Sequence, residues 1–448
     1  MTAQHASTVF YALGCLGYRD SVLLDAVSDR ILGIIGSCEA ITVTNILYGS
    51  ALANYYRSDL AEAVCLRGAE VLVNFGGREL ARCLAALAVR GLPITAAVDG
   101  LTEVLLHRLL FTGIVSTLHA FDAQLLLGVL VRLREDSRFE DLVHASSMAI
   151  TQRVSKPGFA DSASFDMAAH MVWCIAILGV VHPLAMKALS ARLQHPGGIA
   201  RLGLDSVVSI AWAFAKLRDD QPSMMTQLAR RAVQFRDSMQ ASHCASLLWS
   251  FATLNCPATD LFEACTLVLP KILAEATPDD IANMMWAFAT LRADASAGAA
   301  ELLGDAYANL KETPSGQNAA VMAWALVTMG AKHPDALRVL ARAAIADQDA
   351  LDVTSAANLC WAFARLGSAP PQLIVLLARR VVAMLDGCPP RGLVNTAWAL
   401  ASVNVAAQVP DVMVAIAKAT MRPDIIWQLT VPESDCLLRV YAPLIPDH

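Results

Sequence analysis

The chain has 448 residues, of which 56% are hydrophobic, 6% aromatic and 17% charged. This apolar fraction excludes an intrinsically disordered chain, because such chains contain too few hydrophobic residues to form a core. Lysine and arginine total 34 and aspartate and glutamate total 40, which gives a net charge of −6. The overall charge therefore gives no indication of a nucleic-acid-binding protein.

The mean hydropathy of +0.48 would suit a membrane protein, but the most apolar stretch, residues 171–181, contains only 11 residues. A membrane-spanning helix needs about 20 residues, so we expect a soluble protein without membrane insertion. The 11 cysteines form no CxxC pair, and Cys83, Cys174, Cys244 and Cys360 lie in apolar segments. This pattern predicts buried thiols in a reducing compartment.

The N-terminal segment shows no recognisable targeting signal. It lacks the apolar core of a signal peptide, and Asp20, Asp25 and Asp29 do not suit an acid-poor transit peptide. We expect either that targeting was removed upstream or that there is none.

Residues 1–160 are expected to form degenerate copies of a repeat that is regular further along the chain. Their anchor residues are Tyr11, Tyr48, Ala85 and Gly128, and the first two intervals are 37 residues each. Each anchor lies in an apolar segment, for example TNILYGSAL around Tyr48. The N-terminal third is therefore predicted to share the architecture of the regular repeats.

Residues 161–421 contain the regular repeats, which are marked by tryptophans. The anchors are Trp173, Trp212, Trp249, Trp286, Trp324, Trp361 and Trp398, at intervals of 39, 37, 37, 38, 37 and 37 residues. Segments such as DIANMMWAFATL and SAANLCWAFARL recur around them. Residues 422–448 resemble an incomplete further unit and are expected to cap the array. A period of this length is typical of helical-repeat proteins.

Each repeat is predicted to contain two helices joined by a turn. With the anchor as position 0, residues at −5, −1 and +2 form one apolar face of the first helix, and residues at −4, 0 and +3 form a second. Capping residues at −7, such as Ser242 and Asp279, indicate a helix start there. Proline or glycine then precedes a second amphipathic segment, for example LIVLLARRVVAM.

These patterns predict an all-α protein, an α-solenoid of about eleven helix-turn-helix repeats with a period of about 37 residues. One helix pair cannot bury both apolar faces of its first helix, so neighbouring repeats must stack. The tryptophans are expected to be buried at equivalent positions. We expect a single solenoid over residues 1–448.

The core A-N-x-x-W-A-F-A-x-L, seen in AANLCWAFARL, resembles the heptatricopeptide and octotricopeptide repeats, which are related to those of RAP-domain and FAST-kinase-like proteins. No RAP domain is recognisable. The resemblance implies an organellar protein, mitochondrial or alternatively plastid, that acts on RNA processing, stability, translation or ribosome assembly.

A third face of the first helix, at −3, +1 and +4, carries small and polar residues. Helical repeats can read unstacked RNA bases through such side chains. The alternative is structural, with Asn or Ser at −3 bonding a neighbouring helix and Ala at +1 permitting close packing. The candidate RNA-contact residues are Ser209, Lys216, Ser246, Thr253, Asn283, Thr290, Thr328, Asn358, Arg365, Asn395 and Ser402.

Basic residues on the second helix have two possible roles. Arg230, Arg231, Arg342, Arg379 and Arg380 can contact phosphates, or they can form the solvated face of an amphipathic helix.

No glycine-rich phosphate loop, GxSxG, HExxH or zinc-type cluster is present, so we expect no enzyme activity, no cofactor, no metal and no small-molecule substrate.

Two functions remain open. The first is a structural or RNA-associated subunit of a mitochondrial ribosome or another ribonucleoprotein, with RNA, which includes ribosomal RNA as a candidate, and proteins as partners. The alternative is a protein-interaction scaffold of an organellar complex without direct RNA contact.

Overall fold

The computed structural model describes residues 2–89, 95–292, 296–367 and 370–444. All regular secondary structure within these ranges is helical, with 25 α-helices and ten 3-10 helices and no strand. The prediction of an all-α protein built from helix pairs is confirmed. None of the described helices combines the length and the hydropathy that crossing a membrane requires.

The chain divides into two compact units, Met1–Asp219 and Asp220–His448. The helices of unit 1 are α1 (Ala3–Cys15), α2 (Ser21–Leu32), α3 (Ala40–Ala53), α4 (Ser58–Glu70), α5 (Gly77–Leu87), α6 (Ala96–Phe111), α7 (Ala120–Leu133), α8 (Glu140–Val154), α9 (Phe165–Ile177), α10 (Pro183–Gln194), α11 (Gly198–Arg201) and α12 (Leu204–Leu217).

The helices of unit 2 are α13 (Pro222–Val233), α14 (Ala241–Thr253), α15 (Thr259–Ile272), α16 (Pro278–Leu291), α17 (Ser296–Ala308), α18 (Gly316–Met329), α19 (Pro334–Ala346), α20 (Val353–Leu366), α21 (Pro371–Val382), α22 (Pro390–Ser402), α23 (Pro410–Thr420), α24 (Pro423–Ile426) and α25 (Val431–Tyr441). The short 3-10 helices are Ile35–Ser37, Leu72–Asn74, Ile114–Thr117, Ser137–Phe139, Ala160–Ser162, Arg236–Ser238, Leu273–Glu275, Leu385–Gly387, Ala406–Gln408 and Ala442–Leu444.

Every anchor occupies the same place in its helix. We call the helices that carry the anchors A helices; they are α1, α3, α5, α7, α9, α12, α14, α16, α18, α20 and α22. In all eleven, the anchor is the ninth residue, including Ala85 in α5 and Gly128 in α7. The repeat predicted from the tryptophan spacing therefore extends through the degenerate N-terminal copies.

Within each unit, consecutive A helices pack on one another, and the helices that follow them, the B helices, form a second layer. Residues at −5, −1 and +2 lie between the layers, and Val207, Ala211 and Phe214 of α12 are fully buried there. The C-terminal helix α25 packs on α22, as a further A helix would. The predicted core face is confirmed.

The A helices begin earlier than predicted. Their N-caps lie at −9, where the side chains of Thr277, Ser315 and Asp352 accept hydrogen bonds from the backbone N–H groups three residues later. Residues at −7, such as Ser242 and Asp279, are the second residue of their helices and are exposed. The expected start at −7 was wrong because these residues already lie inside the helix, and Asp279 uses its carboxylate to accept a hydrogen bond from Nδ2 of Asn318 at 2.9 Å.

In several repeats, an arginine near the end of the B helix links that helix to the loop before the A helix. Its Nε donates to a backbone carbonyl two residues before the A helix of the same repeat, 29 positions earlier in the sequence. The pairs are Arg67 with Cys38 (2.8 Å), Arg192 with Ala163 (2.8 Å) and Arg380 with Leu351 (3.0 Å). We call this contact the arginine clasp. It satisfies a loop carbonyl that no helix hydrogen bond reaches.

Removing one clasp is expected to loosen its repeat. Arg192→Met should destabilise the α9–α10 pair by about 1.5 to 3 kcal/mol, since it removes a hydrogen bond from a charged donor. The same side chain also lies 4.4 Å from the Phe165 ring. Hydrogen exchange of the α9 amides would measure the loss. Lys187→Met, at an exposed site on the same helix, is the control; an equal loss of protection in both variants would contradict the clasp.

Candidate RNA-contact surface

One narrow row of side chains remains accessible on the A helices. It occupies positions −7, −3, 0 and +4, which share one side of an α-helix; in α16 these are Asp279, Asn283, Trp286 and Thr290. None of these four is fully buried, whereas residues at −5, −4, −1, +1, +2 and +3 of α16 are. We call this row the anchor strip.

The anchor tryptophans belong to this strip. All seven are half-buried rather than buried, so the prediction of buried indoles was wrong in degree. The physical reason is that, within a unit, the neighbouring A helices and the B helix beneath cover the other sides of each A helix, which leaves the strip open. The exception among the eight tryptophans is Trp427, outside the repeats, which is 88% exposed.

The predicted third face was wrong at position +1. The residues there are fully buried, and they are Ala213, Ser250, Ala287, Ala325, Ala362 and Ala399. Their small side chains lie where the A helices pack closely, so the structural alternative for +1 holds. The polar residues at −3 and +4 instead flank the tryptophan, one turn before it and one turn after it.

The amides at −3 are free to bind a ligand. Asn283, Asn358 and Asn395 are half-buried, and their side chains form no hydrogen bond with any residue that the structure describes. The hydroxyls of Ser209 and Ser246 likewise have no partner within the described ranges. The expected alternative, a bond from −3 to a neighbouring helix, is therefore not seen at these five positions.

The hydroxyls at +4 are mostly engaged within their own helix. Thr290, Thr328 and Ser402 donate to the carbonyl oxygen of the preceding anchor tryptophan at 2.8, 2.9 and 2.6 Å. Only their lone pairs remain for a ligand. Thr253 differs, because its buried Oγ1 has no hydrogen-bond partner. The +4 hydroxyls therefore contribute less to recognition than the sequence pattern indicates.

The two cations at +4 are accessible. Lys216 on α12 and Arg365 on α20 are exposed, and neither forms an ion pair with a carboxylate in the described part of the chain. Ser209 and Lys216 belong to unit 1, whereas the other candidates lie on the neighbouring strips of α14 to α22 in unit 2. On α18 the row is interrupted at −3, where Val321 takes the place of a polar residue.

An open cleft lies beside the last strip. It has a volume of about 500 Å³ between α22 and α25, and its lining includes Trp398, Ser402 and Arg439. The Arg439 guanidinium pairs with Asp435 at 2.7 Å on the surface. A flat aromatic wall beside a hydroxyl and a guanidinium suits a nucleobase.

The strip of α9 carries an aromatic pair that the sequence analysis did not identify. The ring of His170 at −3 stacks on Trp173 at 5.7 Å, and its Nδ1 lies 2.8 Å from Nε2 of Gln124 on α7. Burial, and secondarily the charge of Arg132, lowers the pKa of His170, so the imidazole is neutral at pH 7. The spacing of −3 and 0 could have revealed this pair.

Three of the five B-helix arginines already contact other groups of the protein. Arg380 forms a clasp, Arg379 pairs with Asp411 at 2.9 Å, and Arg231 lies 4.4 Å from the Phe235 ring. Arg230 and Arg342 are exposed. Neither of the two predicted roles, phosphate contact or a solvated helix face, describes Arg380, because its guanidinium bonds a backbone carbonyl.

The four thiols predicted to be buried show no sign of a reactive site. Cys83, Cys174, Cys244 and Cys360 are fully buried, as predicted. Burial raises the pKa of Cys83 and of Cys174 to about 12, which keeps both protonated at neutral pH and unsuited to nucleophilic attack. In the described ranges no three metal-ligating side chains come together.

Comparisons with known proteins give one family. No curated protein matches the chain. A structure described as a homology model of the full-length AP-3 complex in an intermediate open conformation aligns over 96% of this chain and 77% of that chain, with 10% identity and a TM-score of 0.36, which is too low to support an inference. The model of the RNA-editing substrate-binding complex 6 protein matches residues 151–419, which include every tryptophan-anchored repeat, and the chain therefore belongs to this family.

Proposed function

We propose that this protein is a non-catalytic subunit of a mitochondrial ribonucleoprotein that holds single-stranded RNA along its anchor strips. The family is named for a complex that binds RNA-editing substrates, and such a complex is the assembly that we propose. The resemblance of AANLCWAFARL to heptatricopeptide and octotricopeptide repeats supports the mitochondrial location. A mitochondrial ribosome is the second assembly, with ribosomal RNA as the ligand.

The strip of α20 offers three kinds of contact to one nucleotide, through Trp361, Asn358 and Arg365, and the other strips offer one or two of them. A base can stack on the half-buried indole, and stacking on an aromatic side chain contributes about 1 to 3 kcal/mol per base. The asparagine one turn earlier can bond the edge of that base with its amide. Lys216 and Arg365 can neutralise phosphates, which supplies affinity without sequence preference.

The observation that carries this proposal is the set of unpartnered amides beside the tryptophans. Asn283, Asn358 and Asn395 repeat at the same helix position, one turn from Trp286, Trp361 and Trp398. A half-buried amide without a protein partner loses little when a ligand replaces its water. The net charge of −6 opposes binding of a polyanion. We therefore expect weak RNA binding by the isolated chain and tighter binding inside the particle.

Two sets of substitutions test the proposal. Lys216→Ala with Arg365→Ala should reduce the salt slope of RNA binding by about two units, one per phosphate contact. Replacing Asn283, Asn358 and Asn395 with alanine should cost about 1 to 3 kcal/mol per lost base contact and only for preferred sequences. Fluorescence anisotropy with full-length protein measures both, and crosslinking in cells measures RNA contact in the particle.

The matched control removes two cations away from the strips, Arg230→Ala with Arg342→Ala. These residues are exposed on B helices. RNA crosslinking that survives both strip variants, together with loss of particle association in the control, would show that the strips do not contact RNA.

The second candidate function is a protein scaffold. Two open grooves of about 660 and 880 Å³ lie along the B helices of unit 2, the first between α13 and α15 and the second between α17 and α19. The second has Lys332, Arg338 and Arg342 in its lining. Ribonuclease treatment of the purified particle separates the two functions, since a scaffold keeps its protein partners after the RNA is digested.

A further inference from the structure

We propose a second RNA site in unit 1, formed by Tyr11, Tyr48 and Arg82, that binds one nucleotide of a single-stranded RNA. The base stacks against the tyrosine rings and the phosphate pairs with the guanidinium. This inference rests on the proposed RNA-associated function, but it places a contact in the degenerate repeats. We call the three side chains the tyrosine–arginine cluster.

The cluster lies on the strips of three consecutive A helices. Tyr11 and Tyr48 are the anchors of α1 and α3, and their rings are stacked with centroids 6.3 Å apart and planes inclined by 23°. Arg82 occupies position −3 of α5, and the carbon of its guanidinium lies 5.8 Å from the Tyr11 centroid and 5.7 Å from the Tyr48 centroid. All three are half-buried, so the cluster is accessible from one side.

Two glycines bring the tyrosines together. A Cβ on Gly14 would lie 2.5 Å from the carbonyl oxygen of Gly49, and a Cβ on Gly49 would lie 2.9 Å from Cα of Tyr11. Backbone therefore meets backbone between α1 and α3, which is possible only without side chains there. The short distance between the helices places the rings within stacking range.

The guanidinium of Arg82 is available to an anion. It forms no ion pair with any described carboxylate, and its Nε is buried without a hydrogen-bond partner. Arg78, one turn earlier on the same strip, is exposed and also has no ion pair within the described residues. Two cations on one strip, neither in an ion pair with a described carboxylate, favour an anionic ligand there even on a chain of net charge −6.

A nucleotide supplies both a flat group for the tyrosine rings and an anion for the arginine. The tyrosine rings favour a flat partner, and arginine beside them favours an anion and adds cation–π attraction. A base and its phosphate provide both within one unit. An acidic peptide would satisfy Arg82 and Arg78 but would add no flat group to the stacked pair of tyrosine rings.

The test uses the full-length chain and a fluorescein-labelled, single-stranded RNA of random sequence, about 20 nucleotides long so that it covers several strips. Arg82→Gln should lower the salt slope of binding by about one unit, because one phosphate contact is lost. Tyr48→Leu should weaken binding by about fivefold or more, the loss of one stacked base. Tyr48→Phe should bind as the wild type does, and Arg82→Lys should restore most of the salt slope.

The controls separate a local defect from misfolding and from failure of the wider proposal. Arg19→Gln removes an exposed cation away from the cluster and should leave binding unchanged. Photocrosslinking with 4-thiouridine RNA, read by mass spectrometry, should label peptides that contain Tyr11 or Tyr48, which a purely structural role would not produce.

Wild-type binding by Arg82→Gln and Tyr48→Leu, combined with weaker binding by the Asn283, Asn358 and Asn395 variants, would overturn this inference and leave the proposed function intact. Absence of any RNA binding or crosslinking by the wild-type chain would overturn both.

Discussion

Phe288→Ala is expected to lower the free energy of unfolding of the surrounding repeats by about 3 to 5 kcal/mol, the usual loss for a buried phenylalanine. Phe288 lies at +2 of α16, is fully buried and meets the Phe262 ring edge-on at 5.3 Å. Trp286, two residues earlier, is only half-buried on the strip. Trp286→Ala should therefore cost less stability and remove more RNA contact.

Hydrogen exchange is the appropriate measurement, because a repeat protein does not unfold as one cooperative block. Loss of protection should centre on α14, α16 and α18 and leave α25 protected, since repeats contact chiefly their neighbours. RNA crosslinking should fall in Trp286→Ala at a temperature where both variants remain folded. Equal destabilisation by the two substitutions would contradict the placement of the indole on the accessible strip.

Gly14→Ala and Gly100→Ala should change stability in opposite directions. At Gly14 a Cβ would lie 2.5 Å from a backbone oxygen of α3, so the two helices must separate, at a cost of about 1 to 3 kcal/mol. At Gly100 in α6 nothing lies within 4 Å of the added carbon. There the better helix propensity of alanine should stabilise the protein by about 0.4 to 1 kcal/mol.

Thermal unfolding of both variants, together with hydrogen exchange of α1 and α3, would measure these changes in stability. Gly14→Ala should also move Tyr11 away from Tyr48 and weaken binding at the tyrosine–arginine cluster, whereas Gly100→Ala should not. A stabilising Gly14→Ala would mean that α1 and α3 do not pack as closely as described.

The sequence predicted the repeat but not which side of each A helix is covered. The repeat pattern placed every anchor at the ninth residue of a helix, even where Ala85 or Gly128 replaces an aromatic ring and the intervals on either side of Gly128 lengthen to 43 and 45 residues. Helical periodicity defines which residues share a face, but it does not say which neighbour covers that face. Alanine at +1 suits a contact surface and a close helix crossing equally well, and the structure shows the crossing.

The sequence could not predict the arginine clasp, because the acceptor is a backbone carbonyl. Arg380 bonds the carbonyl of Leu351, and any residue type could provide that carbonyl. No sequence signal marks the acceptor, so the recurrence of arginine on B helices resembled a solvated or phosphate-binding face. The 29-residue interval shared with Arg67 and Arg192 becomes meaningful only after the loop position is known.

The regular placement of the anchors sets a step length for any strand that follows the strips within one unit. Packed helices lie about 8 to 10 Å apart, whereas bases stacked in a duplex advance about 3.4 Å along each strand. A strand that places one base on each strip must therefore be stretched and fully unstacked. On α16, α20 and α22 the pairing edge of the base would face an asparagine, so these bases could not pair with a complementary strand until the RNA left the protein.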